Sequence, residues 1–358
     1  MTAGTRTAPG VDVFGRMPDG RAVERVHLGG ASGFEVALIT YGAAVQSILV
    51  PDREGRCGDV VLGHDGLDGY LARRNFFGAT VGRVANRISG AAFVLDGARH
   101  ELDRNEGETC LHAGSGGFDT RLWSIAEMGD ADGPFVKMKL SDPDGAGGFP
   151  GRLEASVTYR LMGGNAIAMT FEATTDRATV VNLTHHGYFN LGGEEGDVLD
   201  HELTILADAY LAIDGSLLPT QGLTPVADSP FDFRRPQRIG ARIRHGHEQL
   251  RLAGGYDHCY VLREEQAAAP QPAVRLAHRP SGRMLEIETD QPGIQFYSGN
   301  KLDGTVPGKG GRLHRQSDGL CLEPQRWPDA PNHADFPSAR LDKGDVYRHR
   351  SIYRFSVG

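Results

Sequence analysis

Two runs near the middle of the chain leave little freedom in what it can fold into. Leu153, Ala155, Val157, Tyr159 and Leu161 alternate with Glu154, Ser156, Thr158 and Arg160, and the alternation returns at Ile167, Met169, Phe171 and Ala173 after a Gly163-Gly164-Asn165 turn. A period of two puts successive side chains on opposite faces, so each run reads as a half-buried strand, and so short a connection makes an antiparallel hairpin. Shorter β-rich stretches fill much of the remainder: 11–14, 23–28, 34–50 interrupted at Gly42, 59–63, 203–213, 256–262, 273–276, 284–289, 293–300, 320–323 and 347–357. Gly42 is expected to mark a bend or bulge between two strands. Helix signals are few: a turn or two at 67–74, and one fair candidate at 237–252. A parallel sheet would need a helical crossover after nearly every strand, so the expectation is an all-β fold, a large antiparallel β-sandwich with few short helices. The 49 glycines follow no three-residue period and suit many tight turns. Segment 263–272 reads as a surface hairpin loop, not a domain boundary, and a single domain over 1–358 is expected.

Charge and composition narrow the function. The formal charge of -8 argues against a nucleic-acid partner. No run of 18 apolar residues suggests a membrane span, and the opening Met1-Thr-Ala-Gly-Thr-Arg-Thr-Ala-Pro lacks the apolar core of an export signal, so a cytoplasmic protein is expected. Cys57, Cys110, Cys259 and Cys321 form no CxxC pair, which points to buried free thiols over a zinc knuckle or disulfide framework.

Residues suited to chemistry collect in a few places. In 181–193 two adjacent histidines sit in a strand-like run closed by Asn190-Leu-Gly-Gly. Alternation lets only one of His185 and His186 face a given pocket, so they are poor joint ligands for one metal, and His185 is expected to face away. Segment 78–90 sets Arg83, Asn86 and Arg87 among small residues but lacks the order of a phosphate loop. His112 lies in a glycine-rich loop that suits a pocket residue or a turn anchor. Glu323, between Leu320-Cys-Leu and Pro324, is a carboxylate where burial demands a partner or a purpose. A salt bridge to Arg87 would satisfy it, and so would service as a general base. With Asp257 and Gln295 these residues complete the candidate set, while Trp327 and Phe296 suit either a cavity wall or the core.

The stretches Gly82-Arg-Val-Ala-Asn-Arg-Ile, Leu111-His-Ala-Gly, Asn182-Leu-Thr-His-His-Gly-Tyr-Phe-Asn-Leu, Tyr256-Asp-His, Pro292-Gly-Ile-Gln-Phe-Tyr-Ser-Gly-Asn and Cys321-Leu-Glu-Pro-Gln-Arg-Trp-Pro-Asp-Ala-Pro-Asn resemble, in order, those of the aldose 1-epimerases, or galactose mutarotases. The resemblance spans nearly the whole chain. It implies a mutarotase-type β-sandwich acting on a small monosaccharide without metal or other cofactor, interconverting the α and β anomers of hexopyranoses such as galactose and glucose. It leaves monomer or homodimer open. Carried over residue by residue, it makes Glu323 the base at the O1 hydroxyl and His186 the acid at ring oxygen O5. Asn86, Arg87, His112, Asp257 and Gln295 would hold hydroxyls or steady the protons. A carboxylate with a protonated imidazole is then the expected pair near neutral pH. The chain departs from the family in having His185 and Gly187 around the acid histidine, where Asn and Ser are common, and in the loop Asp144-Gly-Ala-Gly-Gly-Phe-Pro-Gly, which lacks the usual glutamates. Other uses of the same residues are a glycosidase pairing Asp257 with Glu323, a non-catalytic sugar-binding domain, and a metalloenzyme using His112 and His186 with Glu323 or His258.

Overall fold

The hairpin expected from alternation forms, and it is the spine of the largest sheet. In the computed structural model, which describes residues 8–29, 33–193, 196–220 and 222–358, strand Leu153–Met162 pairs antiparallel with Ala166–Thr175 along its full length. The first seven residues, on which the expectation about the chain's start rests, lie outside the described residues. Val157, Tyr159, Ile167 and Phe171 are buried, as a period of two requires.

This pair lies inside a nine-stranded sheet that begins Ser124–Gly129, Phe135–Asp142 and continues past the hairpin through Tyr347–Val357, Arg283–Thr289 and Gln271–Ala277 to the short strands Glu202–Ile205 and Gln237–Arg238. A six-stranded sheet runs Tyr188–Phe189, Leu320–Gln325, Gly293–Tyr297, Asp257–Val261, Ala209–Tyr210 and Thr224–Pro225. A five-stranded meander, Gly10–Arg16, Ala22–Gly29, Glu35–Ile39, Ala44–Pro51 and Cys57–Asp59, flanks them. Every strand pairing in these sheets is antiparallel, and one apolar core joins Val26 and Leu28 of the meander to Val157 and Phe171 of the large sheet and to Phe296 and Leu322 of the six-stranded one. Buried hydroxyls fasten the layers: Tyr353 Oη donates to Leu322 O at 3.3 Å and Tyr159 Oη to Ala43 O at 2.7 Å.

Four sequence expectations are corrected. Segment 237–252 is not one helix but a two-residue strand Gln237–Arg238, a 3-10 turn Ile239–Ala241 and a short α-helix, Glu248–Ala253. Gly240 presses against Leu199 so closely that a Cβ would meet it at 2.9 Å, and the helix starts only where His247 Nδ1 accepts from Gln249 N. Segment 263–272 is not a hairpin loop, because it carries the chain from Asp257–Val261 in one sheet to Gln271–Ala277 in the other, following its neighbours through bonds such as Ala267 N to Asp290 O. At Gly42, which has φ +67°, the chain makes a tight turn between two paired strands, with the bulge displaced to Ala37/Leu38. Cys57 is exposed, while the other three thiols are buried. Trp327 and Phe296 take the core reading: Phe296 stacks on Tyr256 and Trp327 packs edge-on against Phe336. The helix expected at 67–74 is present as Leu67–Ala72, and among the described residues no helix is long and apolar enough to cross a membrane.

The Arg83, Asn86, Arg87 trio divides by function. Arg83 is fully buried, reaching Asp142 Oδ2 at 2.6 Å and donating through Nη1 to Pro150 O and Gly151 O, each at 2.8 Å. It bolts the segment that carries Asn86 and Arg87 to the large sheet. Arg83→Met strips Asp142 of its buried partner, and a loss of about 3–5 kcal/mol is expected from urea unfolding. A loss below about 1 kcal/mol would mean that Arg121, 3.1 Å from the other carboxylate oxygen, suffices alone.

Candidate functional site

Register on the six-stranded sheet builds one wall of a cavity. Gln295 lies opposite Glu323 and Tyr297 opposite Cys321 on neighbouring strands, while Asp257 lies opposite Tyr297 on the other side. Since side chains two apart share a face, Gln295 with Tyr297 and Cys321 with Glu323 project together. Tyr188, opposite Cys321, joins them from the edge strand. The second wall comes from Thr184–His186, paired with Ala79–Val81, and from Arg87–Ile88, paired with Cys110–Leu111. Together they enclose about 180 Å³ lined by Asn86, Arg87, His112, His186, Asp257, Gln295 and Glu323, all seven of the residues singled out from the sequence. This is smaller than pockets for drug-sized ligands, and carboxylate, amide, guanidinium and imidazole groups meet aromatic rings on its walls, which suits one small hydroxylated ring.

At its floor, His186 Nε2 and Glu323 Oε1 face each other at 3.7 Å. That is beyond hydrogen-bond range, so neither consumes the other. Phe76 and Tyr188 stack on the His186 ring, with centroids at 5.4 Å and 5.1 Å, and His112 meets it edge-on at 5.3 Å. Its Nδ1 lies 3.5 Å from Cys321 Sγ. His112 Nδ1 accepts from Asn86 N at 3.1 Å, which fixes the tautomer with the proton on Nε2. Phe76, Asn86 and His112 all have left-handed φ, of 60°, 62° and 50°. For a bulky residue such as Phe76 that is a strained backbone, and it lies against the cavity.

Polar partners fix the far side. Gln295 Nε2 donates to Asp257 Oδ1 at 2.7 Å, which leaves the buried Gln295 Oε1 without a partner among the described residues. Arg87 is not the partner of Glu323 that its position in the sequence suggests. It bonds Glu106 Oε2 at 2.6 Å and lies 3.9 Å from Asp257. Glu323 is therefore buried without a salt bridge to arginine. Burial, reinforced by the Asp257 charge, pushes its pKa well above the ordinary carboxylate value, while Arg87 pulls weakly the other way. Burial pushes His186 down to about 4. Both shifts favour uncharged forms, against the ion pair expected from the sequence. Asp257 is likewise raised, chiefly by burial.

His185 faces away, as alternation requires. It is buried against Phe189 and Tyr353, neither ring nitrogen has a hydrogen-bond partner among the described residues, and burial lowers its pKa to about 3. Several contributors escaped sequence reasoning. Tyr188 and Tyr297 were legible in principle, each standing two residues from a chosen neighbour on the same face. Phe76, Arg74 and Lys301 come from irregular segments with no periodic signal, and Glu106 is revealed only by its bond to Arg87.

Residues 24–354 match the family model described as aldose 1-epimerase. The chain is similar to the galactose mutarotase of Rattus norvegicus, at 42% identity over 100% of both chains. It is also similar to the aldose 1-epimerase of Escherichia coli (strain K12), at 37% identity over 94% of this chain and 96% of that one. Among solved structures, galactose 1-epimerase from Lactobacillus acidophilus NCFM superposes with a TM-score of 0.86 at 28% identity, covering 99% of this chain and 100% of the other.

The buried imidazoles set an acid limit on the fold. His185, His201 and His258 are lowered to about 3, and His186, His314 and His349 to about 4, in each case first by burial. Below their ordinary value of 6.5 the unfolded chain takes up protons that the folded chain refuses, so stability falls as pH drops through that range. Glu323, Asp257 and Asp119, all raised, act in the opposite sense but are fewer. The melting temperature is expected to fall between pH 7 and pH 5, and to fall less in His185→Met. A melting temperature that rises on acidification would show the carboxyls to dominate.

Proposed function

The chain belongs to the aldose 1-epimerase family and is a sugar isomerase of the mutarotase type; from that premise we propose that it interconverts the α and β anomers of hexopyranoses, galactose first, with Glu323 and His186 as its acid–base pair. The observation that carries the assignment is the 3.7 Å gap between the two groups inside a cavity of one-sugar size. Opening a cyclic hemiacetal takes a proton from O1 and delivers one to O5, and both oxygens are bonded to the same carbon. A base and an acid must then be near neighbours that do not hydrogen-bond each other, which is the spacing found.

In the proposed reaction Glu323 as carboxylate accepts the O1 proton while protonated His186 donates to O5, and the C1–O5 bond breaks to leave an aldehyde. Rotation about C1–C2 presents the other carbonyl face. Reclosure returns the proton on Glu323 to O1 and that on O5 to His186. The aromatic packing of Phe76 and Tyr188 on the imidazole holds its plane, and the His112 Nε2 proton, the Asp257–Gln295 pair and Arg87 supply donors and acceptors for ring hydroxyls. Galactose is favoured over other hexoses because relatives at 41–42% identity over nearly full length are galactose mutarotases.

Glu323→Gln and His186→Asn are each expected to slow anomer exchange at least about tenfold, followed by polarimetry on freshly dissolved α-galactose. Near wild-type exchange in either variant would defeat the assigned pair. Across pure α-anomers of galactose, glucose, xylose and arabinose, galactose is expected to give the highest kcat/KM, and a clear lead for a pentose would overturn the choice of sugar. Release of reducing sugar from a chromogenic galactoside would instead favour the glycosidase use of Asp257 and Glu323.

A further inference from the structure

Cys321 takes no part in the chemistry above, yet it stands against the same imidazole. It precedes Glu323 by two on strand Leu320–Gln325, so the two side chains share a face, and its sulfur lies 3.5 Å from His186 Nδ1 while Glu323 Oε1 lies 3.7 Å from Nε2. The sulfur and the carboxylate face different nitrogens of the ring, and one ion takes only one of them; counting a single nitrogen, the three donor atoms fall within 4.8 Å of one another, and all three residues are buried.

We propose that His186, Cys321 and Glu323 form a binding site for a borderline-soft divalent cation of the zinc type, with the fourth ligand position turned toward the sugar cavity. Nitrogen, sulfur and oxygen donors from three residues with one open position make a donor set that Zn²⁺ accepts. Tetrahedral bonds of zinc length need donor atoms about 3.5 Å apart, so the side chains must draw together by about an ångström. Cys321 and Glu323 are held by the cross-strand ladder to Gly293–Tyr297, and His186 by its aromatic neighbours, so the three donors arrive largely positioned. Mg²⁺ and Ca²⁺, which take six or more oxygen ligands, do not fit. On binding, the thiol proton and any proton on Glu323 pass to solvent, leaving thiolate and carboxylate on the cation.

The consequence rests on the assignment made under the proposed function. A cation there occupies both members of the acid–base pair, so it is an inhibitor competing with sugar and not a cofactor. Metal control thereby enters through a thiol that does not line the cavity.

The test uses the full-length protein in a Cys57→Ser background, which removes the one exposed thiol. Co²⁺ serves as the spectroscopic probe and is displaced by Zn²⁺. A thiolate-to-cobalt charge-transfer band is expected, lost in Cys321→Ser, with Zn²⁺ affinity at least about tenfold weaker there, since even outer-shell changes cost that much. Circular dichroism checks that the variant is folded. Absence of the band, or equal Zn²⁺ affinity with and without Cys321, would overturn the site. Polarimetry then reads the consequence, each variant being compared with its own metal-free rate: Zn²⁺ but not Mg²⁺ is expected to slow exchange, and chelation to restore it. A bound cation with the Cys321-dependent band but no loss of rate would uphold the site and overturn the acid–base pair.

Discussion

The structure depends on keeping a carboxyl and an imidazole out of water, facing each other, without letting them bond. At 3.7 Å, with both side chains almost fully buried, Glu323 and His186 stand just beyond hydrogen-bond range of each other. Glu323 is fixed by the ladder between Leu320–Gln325 and Gly293–Tyr297, and His186 by pairing to Ala79–Val81 with Phe76 and Tyr188 stacked on its ring. The sheets beneath supply support for the backbone: the core of the nine-stranded layer reaches both other sheets.

Positioning of the remaining residues follows from that constraint. Arg87 turns to Glu106 and approaches Asp257, so its charge is spent on neighbours and does not hold Glu323 ionised. Were it to pair directly with Glu323, the carboxyl would be locked as an anion and, in the proposed reaction, could not take up the O1 proton on ring opening. Glu106 also bonds Lys301, which ties the loop before Thr109 to the segment after Tyr297 across the cavity mouth.

Much of this was legible in the sequence, for reasons that can be named. The alternation at 153–161 and 167–173 fixes both the hairpin and its buried face, because a period of two has one structural meaning when the turn between the runs is short. Alternation also separates His185 from His186 correctly, and the seven chosen site residues do converge. Irregular backbone was not legible. Phe76 reaches the cavity from a left-handed turn, and segment 237–252 breaks up because Gly240 must pass close to Leu199, a tertiary demand that no local pattern carries. Segment 263–272 looked like a hairpin because strand signals on both sides say nothing about which sheet each strand joins. Charge state is not legible for a related reason: composition does not report desolvation, and burial moves Glu323 up and His186 down together.

That joint movement bears on how the proposed reaction runs. Ring opening takes the pair from carboxylate and imidazolium to carboxylic acid and neutral imidazole, with the proton count of the pair unchanged. The neutral distribution is the one that a dry cavity prefers, so burial lowers the open-chain side of the step relative to the cyclic side. The opposing requirement is that the ionic form be reached when sugar binds, and a bound hemiacetal supplies what water no longer does: O1–H donates to the carboxylate and O5 accepts from the imidazolium. Each contact stabilises the charged form only while the ring is closed, and each is converted as the ring opens. A cavity that held the ion pair permanently, through an arginine on Glu323, would bind the cyclic sugar well and open it poorly. One that admitted water freely would lose the bias altogether. The arginine directed to Glu106 and the aromatic packing on His186 are the two features that keep the pair between those limits.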